Sequence, residues 1–135
     1  MEAFTYSYPV KTYFGKGATA HLPAELAKVG PHVLLAYGGG SIKRNGVYSE
    51  LMAILEKAGK TVFEFSGIMS NPTYEKVQEG ARLAREQKID FILAVGGGSV
   101  IDCCKIISAQ ALLEEDIWEY EYAQHQQPGK FLPMG

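Results

Sequence analysis

Short apolar runs alternate along the chain with longer stretches in which apolar residues recur at helical spacing. Residues 33–37 (VLLAY) and 89–95 (IDFILAV) are nearly continuous apolar runs, each closed by glycine. Such runs read as strands buried on both faces, the habit of parallel sheets covered by helices. Residues 61–65 read as a third strand. Between the strands, Leu22, Leu26 and Val29 define a helix over 19–29, and Leu51, Ile54 and Leu55 one over 47–58 with Gly59 as its stop. Asn71 as N-cap and Pro72 in the first turn open a helix that runs to about Lys88. A further helix follows from Val100 to about Leu113. Residues 6–14 alternate aromatic and polar side chains around Pro9 and predict a short hairpin or edge strand. Strands alternating with helices specify parallel pairing with helical crossovers. The predicted architecture is therefore a three-layer, Rossmann-like α/β sheet with 33–37 and 89–95 as interior strands.

The unit strand–GGGS–helix occurs twice, with first glycines at positions 38 and 96. No linker interrupts the pattern, so residues 1–135 read as one domain. The last residues, Phe131-Leu132-Pro133-Met134-Gly135, read as the approach to another strand, and the chain is expected to be a fragment.

Composition narrows the function classes. A formal net charge of −2 gives no general electrostatic reason to bind nucleic acid or an acidic membrane. No stretch approaches the roughly 20 apolar residues of a membrane span, and no apolar run follows a basic start at the N-terminus. Cys103 and Cys104 are sequence neighbours that an ordinary disulfide joins poorly; they read as reduced packing residues of a cytoplasmic protein. His21, His32 and His125 show no metal-ligand spacing, and Trp118, Tyr120 and Tyr122 read as packing or rim residues.

The glycine loops carry the chemistry. Gly96-Gly97-Gly98-Ser99 lies between a buried strand and a helix, so backbone without Cβ atoms comes close to a ligand while the helix N-terminus attracts an anion. A pyrophosphate suits that place; a tight turn without a ligand is the plain alternative. Ser99 and Asp102 stand in capping-box relation, so Asp102 either closes the helix start or turns toward the nicotinamide end of a cofactor. Lys105 is placed to pair with it at i,i+3. Gly38-Gly39-Gly40-Ser41 ends the earlier strand. No acidic residue follows before Glu50, whereas Lys43 and Arg44 do, a grouping that accepts a ribose 2′-phosphate. Two solvated surface cations are the alternative there.

The motif GGGSVIDCCK, comprising Gly96, Gly97, Gly98, Ser99, Asp102 and Lys105, resembles the signature of the iron-containing (group III) alcohol dehydrogenases. Three further segments agree: Phe14-Gly15-Lys16-Gly17, Tyr37-Gly38-Gly39-Gly40-Ser41-Ile42-Lys43 with Gly46-Val47, and Ser70-Asn71-Pro72. The first GGGS loop resembles the NADPH-dependent butanol dehydrogenase and aldehyde reductase branch. The resemblance implies a dehydroquinate synthase-like N-terminal domain that binds NADP(H), with NAD(H) second, through Gly38, Gly39, Gly40, Ser41, Lys43, Asn71, Gly96, Gly97, Gly98, Ser99 and Asp102. It also implies a second, helical domain that holds Fe²⁺ or Zn²⁺ and completes catalysis on a primary alcohol or aldehyde, so no catalytic or metal-ligating residue is expected in these 135. A homo-oligomer is implied for the complete protein. Two other functions stay open: the nucleotide domain of a dehydroquinate-synthase-like lyase, and a non-catalytic phosphate- or sugar-phosphate-binding module.

Overall fold

The structure, a computed structural model, describes residues 11–112 and 131–135. A 3-10 turn at Ala18–His21 leads into helix α1 (Leu22–Leu26). Strand β1 (His32–Tyr37) follows, then the short helix α2 (Ser41–Arg44) and helix α3 (Val47–Lys57). Strand β2 (Thr61–Phe65), helix α4 (Tyr74–Glu86), strand β3 (Phe91–Val95) and helix α5 (Gly98–Gln110) complete the sequence of elements.

The three strands form a parallel sheet in the order β2-β1-β3. Leu34 lies opposite Phe63 on one side and Ile92 on the other. Alternation of side chains across the sheet divides the core in two. Val33, Leu35, Tyr37, Phe91 and Leu93 face α1, α2 and α3 through Leu26, Ile42, Leu51 and Leu55. Leu34, Ala36, Phe65 and Ile92 face α4 and α5 through Val77, Ala84, Val100, Cys103, Cys104 and Ile107. This is the predicted three-layer arrangement. It follows from strands that are apolar at both odd and even positions, which only helices on both faces satisfy. Small residues on α4 let α5 approach: a Cβ on Gly80 would lie 2.5 Å from Ile107 Cδ1.

Residues 133–135 run alongside β3. Ile92 N–H donates to Pro133 O at 2.9 Å, Gly135 N–H to Ile92 O at 2.9 Å, and Ala94 N–H to Gly135 O at 2.8 Å. The expected approach to another strand is therefore present, and β1 and β3 are both paired on two sides.

Several expected boundaries differ. The helix anticipated over 19–29 divides into the 3-10 turn and α1, because Pro23 occupies the first turn of α1 and lacks the N–H that would continue one ladder from Thr19. Asn71 does not cap α4. Thr73 is the N-cap, its Oγ1 accepting from Lys76 N–H at 3.2 Å, and Pro72 precedes the helix. The strand before α5 begins at Phe91 and not Ile89, whose N–H is used by Ala84 O at 2.9 Å to close α4. Helix α5 begins at Gly98, earlier than Val100, and the short α2 was not anticipated. Residues 11–14 carry no strand; the rest of the anticipated hairpin, and Trp118, Tyr120, Tyr122 and His125, lie outside the described residues.

Candidate functional site

Chain connectivity sets the site. From β1 the chain crosses to β2 on one side, then returns past β1 to β3 on the other. The crevice beyond the carboxyl ends of β1 and β3 is thus the point where strand order reverses, the place where open parallel sheets bind ligands. The two glycine loops, at 38–40 and 96–98, are the continuations of those two adjacent strands.

In the second loop, the glycines differ in what demands them. Gly96 has φ of 151°, and a Cβ there would lie 2.8 Å from Val100 Cγ2. Local packing alone requires glycine. Gly97 and Gly98 have ordinary backbone, and a Cβ on either would meet nothing within 4 Å. They border open space at the first turn of a 13-residue helix, whose leading N–H groups have no partner inside the helix. A phosphate group fits this cradle. The capping box does not form: Gly97 is the N-cap, with no side-chain cap. Ser99 Oγ instead donates to Ser70 O at 2.7 Å, and Asp102, with its side chain 74% exposed, faces Lys105 at 3.9 Å.

In the first loop, Gly38 is required by its neighbour, since a Cβ would lie 2.9 Å from Ile68 O, whereas Gly39 faces open space. A Cβ on Gly40 would lie 3.3 Å from Arg44 Nη1, so the guanidinium lies back over this loop. Lys43 points another way, its Nζ 4.9 Å from the Tyr48 ring centroid and 5.9 Å from that of Tyr37. Both phenols donate to one carboxylate: Tyr37 Oη to Glu64 Oε1 at 2.8 Å and Tyr48 Oη to Glu64 Oε2 at 3.1 Å. Desolvation first, and then the Glu64 carboxylate, hold both phenols above their ordinary pKa.

The segment 66–73 joins the two loops. Gly67 N–H donates to Gly38 O at 2.7 Å and Ile68 N–H to Tyr37 O at 3.4 Å, while Ser70 O receives the Ser99 hydroxyl. Exposed Asn71 is thereby carried beside the second loop. Of the predicted site residues, Gly96, Gly97, Gly98, Ser99 and Asn71 gather at one loop, and Gly38, Gly39, Gly40, Ser41 and Lys43 at the other. Asp102 lies one turn into α5. Glu64 escaped sequence reasoning, because nothing in TVFEF shows that two tyrosines from β1 and α3 converge on it.

Cys103 and Cys104 are buried and unbridged, as expected; burial pushes the Cys104 thiol up to about 12. Among the described residues no three His, Cys, Asp or Glu side chains gather as a metal site, and no helix is long and apolar enough to cross a membrane.

Residues 9–135 match the family of iron-containing alcohol dehydrogenases. The probable NADH-dependent butanol dehydrogenase 1 of Bacillus subtilis is 50% identical over all of this chain, which covers 35% of that protein. The NADPH-dependent aldehyde reductase YqhD of Escherichia coli is 41% identical, again over 100% of this chain and 35% of its own length. A crystal structure of butanol dehydrogenase A from Thermotoga maritima superimposes with a TM-score of 0.88 at 41% identity, over 99% of this chain and 34% of that one. The chain thus spans about a third of the length of the relatives it matches. On this evidence the chain belongs to the iron-containing alcohol dehydrogenase family.

Proposed function

We propose that residues 1–135 are the dinucleotide-binding domain of an NAD(P)H-dependent alcohol dehydrogenase or aldehyde reductase. The cofactor's pyrophosphate lies on Gly96-Gly97-Gly98-Ser99, and its adenosine ribose lies at Gly38-Gly39-Gly40-Ser41. The observation that carries this reading is the position of two ligand-ready loops on either side of the topological switch point. When bound, the nicotinamide supplies or accepts a hydride. This chain's residues bind and orient it: the α5 N-terminus faces the pyrophosphate, and Asn71 and Asp102 border the path toward the nicotinamide end. The substrate is a small primary alcohol or aldehyde, as the names of the relatives suggest. Among the described residues no three His, Cys, Asp or Glu side chains gather as a donor set for Fe²⁺ or Zn²⁺. A cytoplasmic setting suits the two unbridged thiols. A homo-oligomeric state for the complete protein rests on the family resemblance.

Relatives carry both cofactor names, so the choice between them is read from side chains. NADP(H) is the preferred cofactor in this reading. The first loop offers no carboxylate, leaves space at Gly39, and holds Arg44 over Gly40 and Lys43 nearby. Charge-assisted contacts to a 2′-phosphate, reduced by exposure, give about a tenfold to hundredfold preference, roughly 1.4–2.8 kcal/mol. Competitive titration of NADPH and NADH against the chain tests this. Equal affinities sink the NADP(H) preference, and no binding of either sinks the dinucleotide reading.

A further inference from the structure

We infer that Glu64 sets how strongly the site favours NADP(H), by offsetting the charge of Lys43 and leaving Arg44 as the cation that meets the 2′-phosphate. The inference rests on the functional reading above and goes beyond it. Glu64 is the acidic side chain that the sequence around the first loop lacked. It arrives from β2, the edge strand, on the same sheet face as Tyr37 and helices α2 and α3.

Three observations bear on it. First, the carboxylate is fixed. Tyr37 and Tyr48 each donate to a different oxygen, at 2.8 and 3.1 Å, so its position is fixed by two side chains from two elements. Second, Lys43 lies over the faces of those same rings, 4.9 and 5.9 Å from their centroids. The ring faces hold the ammonium over the two tyrosines whose hydroxyls meet Glu64. Third, Arg44 Nη1 lies at Gly40 itself, within 3.3 Å of where a Cβ would stand. Two neighbouring cations of equal formal charge therefore have different surroundings. Glu64 pairs with Leu35 in register, three residues before Gly38, about 10 Å along the strand direction. That is close to a Debye length of about 10 Å at 0.1 M salt, so a phosphate at the loop feels the carboxylate and does so most at low ionic strength.

The experiment is a competitive titration of NADPH and NADH against the 135-residue chain, its Glu64→Gln and Glu64→Asp variants, and separately Lys43→Gln and Arg44→Gln. Titrations are run at about 0.01 M and about 0.15 M ionic strength, with thermal melts of each variant. Glu64→Gln is expected to raise the NADPH:NADH affinity ratio about three- to tenfold at low salt, and less at the higher salt. Glu64→Asp is expected to restore the original ratio. Arg44→Gln is expected to lower the ratio more than Lys43→Gln. That ordering tests the inference even where Glu64→Gln fails to fold. A purely structural role for Glu64 weakens both cofactors together and leaves the ratio unchanged. That result overturns the inference, as does a lowered ratio in Glu64→Gln or a larger loss in Lys43→Gln than in Arg44→Gln. If the unaltered chain binds neither dinucleotide, the functional reading falls and this inference with it. If it binds NADPH preferentially while the variants follow none of the expected changes, only this inference falls.

Discussion

The two glycine loops share the string GGGS and differ in almost everything around it. The second runs straight into the 13-residue α5, is followed by Ser-Val-Ile, and brings backbone rather than charge to the crevice. The first runs into the four-residue α2, which stops at Asn45, and Gly46 with φ of 83° restarts the chain as α3. That interruption leaves Arg44 at Gly40, Lys43 over the Tyr48 ring and the Tyr48 hydroxyl on Glu64. A helix N-terminus serves any pyrophosphate, which every dinucleotide shares. Side-chain charge distinguishes dinucleotides, because they differ at the ribose. In the proposed reading one motif supports two tasks, and the element that follows decides which.

The sharpest way to break this comparison lies within the second loop. Gly96→Val places a β-branched side chain at φ of 151° and against Val100, so we expect a loss of stability of about 3 kcal/mol or more. Gly97→Val adds the same side chain where the chain itself has nothing within 4 Å. It is expected to fold within about 1 kcal/mol of the parent while dinucleotide affinity drops at least about tenfold, roughly 1.4 kcal/mol. Urea denaturation and titration calorimetry on the pair separate the two glycines. Unchanged binding in Gly97→Val removes the loop from the cofactor site.

The layers beneath the loops also differ, thiols under the second and phenols under the first, and pH distinguishes them. The Cys104 thiol is pushed from an ordinary 9.0 up to about 12, chiefly by burial and then by Cys103. The folded chain keeps this proton where the unfolded chain loses it. Its contribution to stability is therefore complete below about pH 9 and lost as pH rises toward 12. Three units correspond to at most about 4 kcal/mol. Denaturation midpoints are expected to hold up to about pH 9 and fall above it. Cys104→Val is expected to flatten that fall, leaving the part due to Cys103, Tyr37 and Tyr48. A profile as steep in Cys104→Val as in the parent refutes the assignment.

Side-chain charge at the first loop gives a smaller, selective effect. Gly40→Asp introduces a carboxylate beside Arg44, so it both repels the 2′-phosphate and occupies the cation that would bind it. The NADPH:NADH preference is expected to reverse, which takes a swing larger than the preference itself, more than about 1.4–2.8 kcal/mol. Competition between the two reduced cofactors at low and moderate salt measures it. If NADPH stays ahead in Gly40→Asp, the loop does not contact the 2′-phosphate.

The sheet was legible because its evidence is local. The runs VLLAY and DFILAV are apolar at every or nearly every position, and that leaves few alternatives to strands covered on both faces. The helix stops were legible where glycine supplies them, as at Gly59 with φ of 73°. The start of α4 was not, because Asn71, Pro72 and Thr73 all carry capping signals; only Thr73, extended at ψ of 160°, places its oxygen over Lys76 N–H. The glycine loops were legible as loops, but the different placement of Lys43, over the tyrosine rings, and Arg44, at Gly40, was not. It depends on Tyr37, Tyr48 and Glu64, which come from three elements and meet only when β1 and β2 pair. Ser99 and Asp102 matched a capping pattern, yet α5 starts at Gly98 with Gly97 as N-cap, which puts Ser99 inside the first turn, where its hydroxyl takes Ser70 O as partner instead.

That last substitution of partners gives the smallest expected effect and the finest test of how the loops are tied. The Ser99 hydroxyl is the only side-chain hydrogen bond from the second loop to segment 66–73 among the described residues. The other end of that segment is tied by backbone, Gly67 N–H to Gly38 O, which no side-chain change removes. Ser99→Ala deletes one neutral, exposed hydrogen bond, worth about 0.5–1.5 kcal/mol. Ser99→Thr keeps it. If the bond matters chiefly by holding Asn71 beside the second loop, Ser99→Ala weakens whole NADPH more than it weakens 2′-phospho-ADP-ribose, which lacks the nicotinamide. Ser99→Thr restores the difference. If Ser99 instead acts on the pyrophosphate through its hydroxyl, both ligands weaken alike, since both contain that group. Calorimetric titration of the two ligands against the three proteins decides between a tie and a direct contact. Equal losses for the two ligands in Ser99→Ala count against the tie.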